Sequence, residues 1–249
     1  MTKFVILTEI RTGYKWLSSL ISSHPKAFCF GEIFGSVLDV RQSSMFTKPL
    51  RAIEEKENPI NWLKGNVEKW AEKNKIDVVG FKVNYVDGKY NDNWGSLWKY
   101  IGSEFKIIHL TRYNLLDRTL SELLALTENK WITDDYQSRI HISPQHLLKI
   151  MHRSEDWQQE SRTRFQNMFE ITYEEMVHTP EKLMDMQDFL GLEPQMLGSG
   201  SKKQRQFKQS NYIENYKEIS DMIIEYFPCY KLMLDDCWQN SASNQLPIF

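Results

Sequence analysis

"KFVILTEIRTGYKWLSSLISSHP", Lys3 to Pro25, decides how the rest of the chain is read. Phe4–Leu7 is an unbroken apolar run, the pattern of a short buried strand. Trp16, Leu17, Leu20 and Ile21 then recur at helical spacing, and the pattern stops before Pro25. Between the two lies "RTGYK", Arg11 to Lys15, a polar turn with one glycine and two cations. A strand, a tight glycine turn and a helix start present backbone N–H groups and the positive end of a helix. With Arg11 and Lys15 beside it, such a turn suits a phosphate or sulfate group. On these residues alone, an ordinary strand-to-helix turn with two solvated cations is an equal reading.

The same alternation continues outward. Ala27–Gly35 is short and β-prone, Ile76–Tyr85 and Glu104–Arg112 read as strands, and Met168–Met176 as a strand running into a turn. Helical patterns fall at Asn58–Asn74, Asn93–Gly102, Asn114–Leu126, Pro144–Asn167, Thr179–Leu192 and Tyr216–Phe227. Gly198–Asn211 reads as a basic loop. Short strands separated by longer helices give an α/β fold of three layers, a mostly parallel sheet flanked by helices. No repeat or linker divides the chain, so residues 1–249 are expected to form a single domain. Ligands of such folds sit at the carboxyl ends of the strands. The opening turn occupies one such end, and "TRYN" after the strand ending at Arg112 occupies another.

Composition limits the partners. A net charge of −2 supplies no broad positive field, which argues against a general nucleic-acid or anionic-membrane binder, so any anion site is local. No run approaches the ~18 apolar residues of a membrane span. Cys29, Cys229 and Cys237 are few, odd in number and not in metal-ligand spacing, which points to a reducing compartment. The first strand begins at Lys3 with no room ahead of it for a signal peptide, and the expected location is the cytoplasm.

A magnesium-nucleotide P-loop reads G-x-x-x-x-G-K-[ST]. Here Thr8 stands where the first glycine belongs and Trp16 where the metal-binding hydroxyl belongs, which disfavours an ATP or GTP enzyme. "RTGYKW" instead resembles the phosphosulfate loop of sulfotransferases that use 3′-phosphoadenosine 5′-phosphosulfate (PAPS). Arg11, Thr12, Gly13 and Trp16 match, and Tyr14 and Lys15 replace the usual small hydroxyls. "IIHLTRYNLLDRTLS", Ile107 to Ser121, is similar to that family's second signature, a strand ending in Arg with a Ser nine residues on. "GEIFG" at Gly31–Gly35 resembles the "GE-x-F" stretch of the bacterial and carbohydrate branch. "GFK", "ITYEEM…FLGL" and "KKQRQFKQSNYIENY" follow in the family's order.

The resemblance implies a P-loop-like nucleotide-binding fold and a metal-independent transfer of a sulfuryl group to a small-molecule or carbohydrate acceptor. It implies that Arg11, Thr12, Gly13, Tyr14 and Lys15 line the cofactor's 5′ end, with Arg11 and Lys15 also offsetting charge on the leaving phosphate, and that Trp16 stacks on the adenine, against an alternative as a core residue of its helix. It implies that Arg112 and Ser121 hold the 3′-phosphate, that Tyr173 lies near the adenine, and that Lys202, Lys203 and Gln204 clamp the phosphate. Glu32 is the expected general base, against an alternative as a loop cap or a ligand for a cationic substrate. Lys82, on "GFK", approaches either the sulfate or only the end of the sheet. His109 reads as buried scaffold and His24 as a cap, while His141, His146 and His152 are open as acceptor-site residues. A nucleotide kinase of related fold and a non-catalytic nucleotide-binding module are the competing functions.

Overall fold

The computed structural model describes residues 1–34, 58–87, 94–131, 136–198 and 208–234. They fall into two units, Met1–Thr111 with Gln158–Lys202, and Arg112–Trp157 with Lys203–Phe249.

The first unit holds a five-stranded sheet. Its strands are β1 (Thr2–Thr8), β2 (Ala27–Glu32), β3 (Val78–Asn84), β4 (Lys106–Thr111) and β5 (Met168–Thr172). All neighbours pair in parallel, in the order β2-β3-β1-β4-β5. Parallel sheets are covered on both faces, which is why β1, β3 and β4 are apolar almost throughout rather than alternating. One face, with Phe4, Ile6, Ile108, Leu110 and Ile171, buries Leu17 and Ile21 of α1 (Tyr14–Ser22) and Met186 and Leu190 of the helix Pro180–Leu190. On the opposite face Phe81 meets Phe105 edge-on, beside the helix Trp94–Glu104. The strand order reverses at β1, the kind of switch point at whose carboxyl end such folds bind ligands.

Two local departures from the sequence reading have clear causes. Tyr173–His178 is a helix rather than a turn. Thr172 and Glu175 form a reciprocal capping box, with Thr172 Oγ1 accepting from Glu175 N–H at 3.0 Å and Glu175 Oε2 accepting from Thr172 N–H at 2.7 Å. The expected helix Asn58–Asn74 runs as Pro59–Trp62, a π-helical stretch Leu63–Glu68, and Lys69–Lys73, started by Asn58 accepting from Ile60 N–H.

The second unit is helical. Leu115–Glu128, the part of Pro144–Arg164 up to Trp157, Gln209–Tyr212 and Tyr216–Tyr226 surround a core of Leu116, Leu120, Leu124, Leu147, Met151, Ile219 and Ile223. Asn114 caps the first of these helices through Asp117 N–H at 2.9 Å. No helix among the described residues is long and apolar enough to cross a membrane.

Candidate active site

The turn after β1 is shaped by its own side chains. Thr8 Oγ1 lies 2.6 Å from Thr12 Oγ1, Thr12 donates to Glu9 O at 2.9 Å, and Thr8 donates to Leu110 O on β4. Thr12 is buried, so its hydroxyl serves the loop's interior. Arg11 takes a left-handed φ of 63°, rare for a residue with a side chain, and Gly13 follows at φ 88°. Gly13 is needed twice over. Beyond its φ, a Cβ there would stand 2.6 Å from Tyr173 Cδ2. Tyr173, the first residue of the capped helix after β5, therefore lies against the turn, with Trp16 edge-on to its ring at 6.1 Å.

α1 begins at Tyr14 with no side-chain cap and no acidic residue in its first turn, so its positive end is not neutralised from within. Lys15 is exposed beside it, and Arg11 and Trp16 are half-buried. This donor set of helix start, two cations and aromatic faces fits a phosphate-bearing nucleotide.

Tyr14 joins this turn to a second cluster at the ends of β2 and β3. Its hydroxyl donates to Glu32 Oε2 at 3.2 Å, and its ring stands 4.4 Å from Lys82 Nζ. Lys82 is fully buried and pairs with Glu32 Oε2 at 3.0 Å. Asn84 Nδ2 donates to Glu32 Oε1 at 2.6 Å. Burial alone works to raise the Glu32 pKa, but the Lys82 charge and the hydrogen bonds from Lys82, Asn84 and Tyr14 outweigh it and hold the carboxyl below its ordinary value. Asp87, just past β3, accepts from Asn84 N–H at 2.7 Å. Its carboxyl is pushed up to about 6, chiefly by burial, with the Glu32 charge adding to it.

Glu32 reaches this position through an irregularity. Cys29 pairs with Gly80 and Glu32 with Lys82, so β2 spends three residues against two on β3. Gly31, at φ 71°, absorbs the extra residue and re-aims Glu32.

Arg112 and Ser121 belong to the second unit. Arg112 Nη2 lies 3.4 Å from Asp117 Oδ2, and the other oxygen of Asp117 accepts from Gln209 at 2.7 Å. Ser121 sits in the second turn of Leu115–Glu128 and is buried. Lys202, Lys203 and Gln204 lie outside the described residues, as do Gly35 and Cys237. Cys29 and Cys229 are free thiols.

The histidines divide. His109 is buried on β4, with Nε2 2.6 Å from the Tyr85 hydroxyl and Nδ1 3.7 Å from Glu170. His24 is buried where α1 ends, accepting from Lys26 N–H and close to Glu193 O. His141, His146 and His152 are exposed in the second unit. The sequence reading overlooked Asn84 and Asp87 and left Lys82 open. The signal was Lys82 and Asn84 two apart at the carboxyl end of an otherwise apolar strand, on one face.

A solved sulfotransferase shares this fold. A sulfotransferase from Alicyclobacillus acidocaldarius superposes with a TM-score of 0.52 at 15% identity, over 96% of this chain and 99% of that one. The mouse sulfotransferase SULT7A1, solved in complex with PAP, gives a TM-score of 0.49 at 12% identity, over 98% of this chain and 89% of that one. No protein-family model matches the chain, and no curated protein matches it in sequence. The first comparison identifies the fold as that of sulfotransferases, a five-stranded parallel sheet between helices.

Proposed function

We propose that the protein is a sulfotransferase of the "GE-x-F" type. It moves a sulfuryl group from PAPS to a hydroxyl, amine or guanidine of a small-molecule, secondary-metabolite or carbohydrate acceptor. The observation that carries this reading is the junction made by Tyr14. An uncapped helix start after a left-handed glycine is tied, through one side chain, to a buried Glu32 that Lys82 keeps ionised.

PAPS, when bound, would supply an activated sulfuryl group whose sulfur is open to in-line attack by the acceptor's oxygen or nitrogen. The chain's residues do the rest. Arg11 and Lys15, with the N–H groups of α1, offset the charge that grows on the leaving phosphate oxygen as it keeps the bonding electron pair. Thr12 and Gly13 shape the turn, and Tyr14 takes the place of a small hydroxyl. Trp16 and Tyr173 offer aromatic faces to the adenine. Arg112, with a planar donor fork, and Ser121 hold the 3′-phosphate, and Lys202, Lys203 and Gln204 close on it. Glu32 removes the acceptor's proton as its oxygen or nitrogen bonds to sulfur. Lys82 keeps Glu32 in the base form. Residues 1–249 work as one catalytic domain, in the cytoplasm, with cations and helix N–H groups in the place a metal takes in kinases.

Sulfur-radiolabelled PAPS offered with phenols, amines and oligosaccharides tests this. Label is expected on at least one acceptor, with PAP released in equal amount. Glu32→Gln lowers the rate by roughly 10²-fold or more. PAPS left intact across the panel, or label transfer unaffected by Glu32→Gln, would overturn the assignment.

A further inference from the structure

Glu32 presents a difficulty as a base. A carboxylate held by a buried ammonium and two further donors has little appetite for a proton. Asp87 resolves it. The Asn84 amino group donates to Glu32 Oε1 at 2.6 Å and also faces Asp87 Oδ1 at 3.4 Å, while the Asn84 backbone N–H donates to Asp87 Oδ2 at 2.7 Å. Only the nitrogen of an amide carries hydrogen, so two carboxylates fix which way Asn84 turns. Its oxygen is left buried without a hydrogen-bond partner among the described residues. Asn84 is 5% exposed and has no room to reorient freely.

We infer that Asp87 is a positioning residue for Glu32, fixing it through Asn84 and, by its own negative charge, making it a stronger base. This rests on the reading of Glu32 as the proton acceptor. Among the described residues, the groups facing Asp87 are Lys82 and Asn84 of β3 and, beyond Asn84, Glu32 of β2; Tyr14 of α1 reaches Glu32 from the other side. When Asp87 is neutral, Lys82 and Glu32 balance, and a proton taken up by Glu32 leaves a buried net positive charge. When Asp87 is ionised, the cluster carries one excess negative charge, and the acceptor's proton neutralises it. Burial penalises net charge, so the second arrangement favours uptake. Asp87 titrates near 6, which places the change close to neutrality. The coupling is reciprocal, so each carboxyl must register the other's titration.

The test is a carbon-13 NMR titration of the side-chain carboxyls in the full chain, wild type and Asp87→Asn. In the wild type the Glu32 signal is expected to show a second inflection at the Asp87 midpoint. In D87N that inflection disappears and the Glu32 midpoint falls by about 1 pH unit or more. An unchanged Glu32 curve overturns the inference. Should D87N fail to fold, the wild-type trace decides alone: one inflection on Glu32 refutes coupling and two support it. With an acceptor in hand, D87N should lose the limb of the rate profile near neutrality, lowering kcat while the KM for PAPS holds, which a merely structural role would not produce. Failure of PAP to bind would sink the sulfotransferase reading without touching the NMR result, so the two failures are distinguishable.

Discussion

Lys82→Met removes one charge from the most deeply buried ion pair at the site. Lys82 is fully buried and Glu32 is 7% exposed at its side chain, so water cannot replace the lost partner. Breaking a buried pair from one side costs about 3–5 kcal/mol, because the remaining charge is stranded. Asn84 and Tyr14 still donate to Glu32, which places the expected loss near the lower end, about 3 kcal/mol. The sign of the pH dependence should reverse. In the wild type the Glu32 pKa is depressed, so its contribution is present above the unfolded value of 4.5 and lost as pH falls through the folded one. In the variant only the Asn84 and Tyr14 hydrogen bonds oppose burial, the largest influence on this carboxyl, so the pKa should rise above 4.5 and the Glu32 contribution be retained in acid and lost as pH rises. Urea unfolding at pH 5 and pH 8 reads both effects. The double variant K82M/E32Q, with neither charge, should return to within about 1 kcal/mol of the wild type. A single-variant loss below about 1 kcal/mol, or a double variant no better than the single, would refute the claim that the pair is buried and mutually dependent.

Gly13→Ala should cost about 1–2 kcal/mol from the left-handed backbone alone, and more from the Tyr173 ring it must displace. Its PAP affinity, read by calorimetry, should fall by roughly 10-fold or more, since the turn it distorts is the proposed phosphate site. The Asp87 carboxyl is raised from 3.8 to about 6, so its contribution is present below the unfolded value and lost as pH rises through the folded one. D87N should therefore be more stable than the wild type at pH 8, by up to about 3 kcal/mol, and indistinguishable from it near pH 4 in thermal unfolding. Glu170 is depressed to about 2, first by His109, whose Nδ1 stands 3.7 Å away, and then by the Arg162 guanidinium, which donates to it at 2.9 Å. Its contribution is present above 4.5 and lost in acid, so Glu170→Gln should flatten the acid limb of the stability curve.

Much of this arrangement was legible in the sequence, because it rests on periodicity and on turn chemistry. The run Phe4–Leu7, the glycine at position 13 and the helical spacing from Trp16 fixed β1, its turn and α1 within two residues. The capping box after β5 was present as "TYEE", yet read as a turn, since a helix of six residues shows no period. The Glu32–Lys82 pairing was out of reach for a different reason. It depends on an irregular register between β2 and β3, which no period-two pattern encodes. The positive φ of Arg11 was equally hidden, because arginine has no preference for that conformation and the surrounding turn imposes it. Asp87 was missed because its significance lies in a hydrogen bond to the backbone of Asn84, invisible to spacing.

The central claim is that the chain binds an adenosine bisphosphate rather than a magnesium nucleotide. Calorimetry of the full chain with 3′-phosphoadenosine 5′-phosphate, against ATP with magnesium, tests it most directly, in the wild type and in Arg112→Ala. Tight binding of the first ligand, weak binding of the second, and loss of the first in R112A by roughly 10²-fold are expected for an arginine fork on a phosphate. Preference for ATP with magnesium, binding of neither, or full affinity in R112A would contradict it.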